Sequence, residues 1–85
     1  MDFEYLEIKS RTMAIRGAMS FGRDLEDLEG YNSLKSELMR SLWLMAVELD
    51  NLLHEMEKSG PSEFQQEYIN AARAFLKYDL KYPNL

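Results

Sequence analysis

Between Ser33 and Lys58 the apolar residues Leu38, Leu42, Met45, Leu49, Leu52 and Met56 recur at alternating intervals of four and three. That spacing holds them on one face of a helix of 3.6 residues per turn. Asn32 or Ser33 is placed to cap its start. Lys58 lies in the last turn, where a cation complements the helix dipole, and Gly60 can take the left-handed position before Pro61 ends the helix. A second run opens with Ser62 and Gln65, the spacing of a capping box. Phe64, Tyr68, Ala71, Phe75, Tyr78 and Tyr82 then repeat the helical interval, which predicts a helix over about 63 to 80. The breaks Gly30-Tyr31-Asn32-Ser33 and Ser59-Gly60-Pro61-Ser62 separate these two segments from a first one.

That first segment is interrupted by Gly17 and Gly22, each costing about 1 kcal/mol relative to alanine in a helix interior. Its periodicity nonetheless survives. At about 100° per residue Met13, Ala14, Ala18, Phe21, Leu25 and Leu28 share one broad face, with Arg16, Ser20, Arg23 and Asp27 opposite. Ala14, Ala18 and Gly22 stack at intervals of four, a ridge of small residues that lets another helix approach closely. Residues 3–29 are expected to form one helix, or two broken near Gly22. The fold class that follows is all-α: one helical domain over residues 1–85, a compact antiparallel three-helix bundle, or a four-helix one if the first segment breaks.

Apolar residues exceed what a single seam can use. Leu42-Trp43-Leu44-Met45-Ala46-Val47 is apolar on every side of the middle helix, and Trp43 and Val47 form a second ridge roughly 120° from the main seam. Either another helix of the chain covers that ridge, or another molecule does. The last segment carries its aromatic residues on one flank and Ile69, Ala72, Leu76 and Leu80 on the adjoining one. Tyr68, Tyr78 and Tyr82, with a polar atom on an apolar ring, suit either a core boundary or a docking strip. Beyond Leu80, Pro83 prevents the helix from continuing, and the apolar Leu85 is expected to fold back onto the domain. Met13, Met19, Met39, Met45 and Met56 add flexible side chains that serve adaptable surfaces as well as irregular cores.

Composition narrows the function classes. Eighty-five residues provide one thin core, which argues against a deep substrate cavity. Fifteen acids against ten bases give a net charge of −5, concentrated toward the N-terminal half, and such a field repels phosphate backbones and anionic lipid. No nucleic-acid partner is expected. Without cysteine there are no disulfides, thiolate nucleophiles or Cys-type zinc sites. The opening residues carry no basic stretch, and the longest apolar run is six residues where a membrane span needs about 20. A cytoplasmic protein with no membrane partner is expected.

Candidate chemistry is sparse. His54 is the single histidine and stands off the apolar seam; Asp50, Glu55 and Glu57 nearby do not complete a two-histidine or Glu-x-x-His metal pattern. Glycine-rich phosphate loops are absent. Asp24, Glu26, Asp27 and Glu29 cluster at a helix end, where they form either a solvated charged edge or a patch that steers a basic partner. Glu48-Leu49-Asp50, followed by Leu52-Leu53, resembles part of the Ser-Gln-Glu-Leu-Asp signature of the small helical phosphatases that act on sporulation response regulators. Ala46-Val47 stand where that family has Ser-Gln, and the likeness covers five positions. The resemblance implies a phosphatase-like regulator acting on a response-regulator-type protein. A minimal catalyst of that kind would rest its chemistry on Glu48, Asp50 and His54 along one helix, with a partner completing the site.

The residues themselves favour a small acidic, non-enzymatic interaction module: an inhibitor, adaptor, antitoxin-like or immunity-like protein, or phage-type regulator. Trp43, Val47, Tyr68, Tyr78 and Tyr82 are its expected contacts, with Asp24, Glu26, Asp27 and Glu29 as the steering group. The expected partner is a protein, a second copy of the chain, or both: the seams of the second and third segments can pair with their own copies, and a homodimer is the default assembly. No cofactor, metal or small-molecule ligand is expected; a structural subunit of a larger assembly is the remaining alternative.

Overall fold

All three segments read as helical form helices. The computed structural model describes residues 3–82: α1 Phe3–Glu26, α2 Asn32–Lys58 and α3 Glu63–Ala74, the last continued by a π-helical turn Phe75–Asp79. No strand occurs among the described residues, and the chain is all-α.

α1 runs through Gly17 and Gly22 without a break. The propensity cost of the two glycines is offset by burial of Ile8, Ile15 and Leu25. Its buried face is rotated from the one predicted: Ile8 and Ile15 lead it, with Ala18 and Met19 packed alongside, while Met13, Phe21 and Leu28 are exposed. The cause is that α1 has two neighbours, and the line of Ile8 and Ile15 points between them. The predicted ridge of small residues is realised at its last position. A Cβ on Gly22 would lie 3.2 Å from Leu38 Cδ2, so the missing side chain is what lets α2 approach there.

In α2 the predicted seam is shifted by a fraction of a turn for the same reason. Leu42, Leu49 and Met56 are buried as expected, but Ala46 and Leu53 occupy the centre of the face, and Leu38, Met45 and Leu52 lie at its half-buried edge. Contacts between the two helices run in opposite order along them: Arg11 Nη1 donates to Glu48 Oε2 at 3.1 Å, while the later Gly22 meets the earlier Leu38. The N-cap of α2 is Tyr31 rather than Asn32 or Ser33, and no side chain caps it. Gly30, at φ 85°, turns the chain, and Lys35 Nζ donates to the Leu28 carbonyl in that turn at 2.8 Å. The other end is as expected: Gly60 has φ 72° and its N–H bonds to the Glu57 carbonyl.

The capping box at Ser62 and Gln65 is formed in both directions, at 3.2 and 2.8 Å. Ile69, Ala72, Phe75 and Leu76 are buried, so the flank of Ile69 and Leu76 makes the core, and of the aromatic flank only Phe75 and Tyr82 join it. The α-helix predicted to reach residue 80 stops at Ala74. Leu80 N–H bonds five residues back to the Phe75 carbonyl, Lys81 takes φ 59°, and Tyr82 N–H reaches the Leu76 carbonyl at 2.8 Å. Arg16 holds this widened turn from α1, its guanidinium 4.5 Å from the Phe75 ring centroid and 3.8 Å from Asp79. The fold-back expected of Leu85 lies outside the described residues.

Glu57 and Arg73 tie α2 to α3, and Gln66 Nε2 donates to the same carboxylate at 3.0 Å. The Arg73 guanidinium first, then Gln66, holds the Glu57 carboxyl below its ordinary value of 4.5. A depressed folded value means this contribution is complete above 4.5 and is lost as pH falls through the folded value. Glu57→Gln should therefore flatten the loss of stability on acidification below pH 4.5 in denaturant titrations; an unchanged pH dependence would show that the pair adds nothing. Gly17 has open space around the position of a Cβ. Gly17→Ala should accordingly stabilise the fold by about 0.5–1 kcal/mol in urea titration, with Gly22→Ala gaining less because Leu38 must move.

Candidate functional site

The three helices differ in length, and the site follows from that. At 1.5 Å per residue the 24 residues of α1 and 27 of α2 extend about 36 and 40 Å, against about 18 Å for the 12 residues of α3, to which the π-helical turn Phe75–Asp79 adds about one further turn. α3 lies in the channel between the longer pair. At one end Tyr5 of α1 meets Tyr68, with ring centroids 3.8 Å apart, and Arg73 pairs with Glu57; at the other, Asp79 meets Arg16 and Tyr82 meets Trp43. Past Leu80 the channel continues without a third helix. It forms an open groove of about 320 Å³, with Met19, Gly22, Arg23 and Glu26 on the α1 side and Lys35, Leu38, Met39, Leu42 and Trp43 on the α2 side.

The floor is apolar and adaptable. Two thioethers, two leucines and an indole line it, and Leu80 closes its inner end. Met39 at its outer edge is 52% exposed. Trp43 is half-buried, its ring 5.9 Å from that of the buried Tyr82 at an interplanar angle of 42°. The indole is therefore shared between the core and the groove: the C-terminal turn covers one side of it, and the other lines open space.

The expected contact residues are not brought to one place. Trp43 and Tyr82 meet, but Tyr82 is buried and supports the indole rather than presenting an edge of its own. Val47, 40% exposed, does not line the groove. Tyr68 sits with Tyr5 and Phe64, its hydroxyl raised above the ordinary tyrosine value by its hydrogen bond with Tyr5 and then by burial. Tyr78 is exposed under Lys77, whose ammonium is 5.3 Å from the ring. Of the acidic group, Glu26 lines the groove, while Asp24, Asp27 and Glu29 lie exposed beside it and in the following turn.

Glu48, Asp50 and His54 do not converge either. Glu48 pairs with Arg11 on the α1 side of α2. His54 Nδ1 sits 2.9 Å from the Asp50 carbonyl oxygen and 3.5 Å from the buried carboxylate oxygen Asp50 Oδ1, too long for that oxygen to gain a hydrogen bond. No group of three or more potential metal ligands occurs among the described residues, and no described helix is long and apolar enough to cross a membrane.

The groove residues Met19, Arg23, Lys35, Leu38, Met39 and Leu80 were not expected as site residues. Lys35, Met39 and Trp43 at intervals of four, together with a third segment much shorter than the second, are the features of the sequence that point to them. Tyr82→Ala should expose the indole, shifting Trp43 emission to the red and increasing its quenching by acrylamide; unchanged emission would show that Tyr82 does not shield Trp43. No family model, curated protein or solved structure matches the chain.

Proposed function

We propose that this chain is a small, non-enzymatic, cytoplasmic protein–protein interaction module, an antiparallel three-helix bundle that takes a helical surface of a protein partner into the open length of its groove. The observation that carries the reading is the mismatch between α3 and the α1–α2 pair. α3 buries Ile69 and Ala72, and its π-helical continuation buries Phe75 and Leu76; beyond Leu80 the same channel offers leucine, methionine and tryptophan side chains with no helix on them. A helix is the natural occupant, because the open length lies between the same two helices that seat α3 further along. Trp43 and the methionines supply the large, adaptable contacts that dominate such interfaces. The acids around the end of α1 act on encounter rate more than on affinity. Inhibitor, adaptor and antitoxin-like or immunity-like roles all use a surface of this kind.

The reading is tested by two substitutions at exposed sites. Met39→Glu puts a charge into the groove, whereas Phe64→Glu puts one at a surface position, 62% exposed, near the start of α3. With both variants folded by circular dichroism, Met39→Glu should abolish the complex formed by the chain in its own cells, read as a shift in native mass, and Phe64→Glu should leave it intact. The reverse pattern would place the docking surface elsewhere.

A further inference from the structure

Opposite charges on one lip of the groove identify what fits it. Arg23 and Glu26, both on the α1 lip, are three residues and about 4.5 Å of helix rise apart. Neither forms an ion pair within the chain among the described residues, whereas Arg11, Arg16 and Arg73 each pair with a carboxylate of their own chain. A lip of one sign would select a partner of the other. A lip carrying both signs one turn apart is complementary to itself after a two-fold rotation, since in such a contact residue i meets residue j and j meets i.

We propose that the open length of the groove is covered by the same stretch of a second copy of this chain, in a two-fold contact in which Arg23 of each copy pairs with Glu26 of the other. The inference rests on the reading of the groove as the docking surface and names its occupant. Two hairpins laid face to face with their turns pointing in opposite directions overlap only along the uncovered length, so the two α3 helices fall at opposite ends and do not collide. The overlap is then a short four-helix segment with Trp43, Met39 and Leu38 of both copies inside it. Leu28 at 47%, Leu34 at 38% and Met39 at 52% are exposed apolar residues at this end of the molecule. A chain of 85 residues, with its limited core, gains stability from burying them in a symmetric interface.

The contact is tested by sedimentation of the full chain from about 1 μM to about 1 mM, with ¹³C-labelled methionine methyl groups as reporters of place. Self-association should move the Met19 and Met39 signals with concentration and leave Met13, on the outer face of α1, unchanged. Arg23→Glu should weaken the dimer by at least about ten-fold, and Glu26→Arg likewise, because each places like charges opposite one another twice. An equimolar mixture of the two variants should restore dimerisation as a heterodimer, and the double exchange within one chain should restore the homodimer. A chain that stays monomeric throughout would overturn this occupant, while a complex still sensitive to Met39→Glu in cells would leave the docking reading standing. Self-association that moves Met13, or is indifferent to Met39→Glu, would overturn the two-fold contact; an in-cell complex equally indifferent to Met39→Glu would overturn the docking reading as well.

Discussion

Burial of α3 in the channel between α1 and α2 is the interaction on which the rest of the structure depends. Ile15, Leu49, Leu53, Ile69 and Leu76, one or two from each helix, are fully buried where the three meet. No pair of these helices buries such residues alone, because an amphipathic face that rests on a single neighbour stays partly wet. α3 is thus what turns a hairpin of two long helices into a folded domain, and its length determines how much of that hairpin is finished. The molecule measures 48 Å in its longest direction, and α3 supplies less than half of that.

The ends of α3 are fastened differently, and this explains the state of Trp43. At the start, a capping box fixes the first turn and Gln66 donates to Glu57 of α2, a carboxylate that Arg73 of the last turn also reaches. At the finish no glycine is available to turn the chain, and Lys81 takes the left-handed conformation instead after a widened turn. That arrangement brings Tyr82 back onto the indole, with Arg16 bridging Phe75 and Asp79 from the opposite side. Surface ion pairs such as these contribute little to stability through screened charge. What they do here is fix where α3 stops, and so where the groove begins.

The helical class, the three helical segments and the caps at Ser62 and Gly60 were legible in the sequence, because each depends on local spacing and on residues with a distinct backbone preference; whether the first segment breaks near Gly22 and where α3 stops were not. Which face of each helix is buried was less legible too. The periodicity of Met13, Phe21 and Leu28 in α1 is genuine, yet those residues are exposed, since periodicity states that a face is apolar and not which neighbour covers it. Ile8 and Ile15 won that place because two helices, not one, pack against α1. The π-helical turn was illegible for a related reason: it arises where Arg16 and Trp43, distant in sequence, receive Phe75 and Tyr82. Trp43 was recognisable as surplus to the main seam, whereas the groove beside it depends on how far α3 extends in space.

Amide hydrogen exchange along α2 in dilute solution tests the central claim most directly, because it reads the covered and uncovered lengths of a single helix in one experiment. If α3 completes only part of the hairpin, amides from Leu49 to Met56 exchange near the rate set by global unfolding, and those from Leu38 to Trp43 exchange faster through local opening. Uniform protection along the whole of α2 in the dilute monomer would contradict the account, since the groove end would then need no cover to be complete.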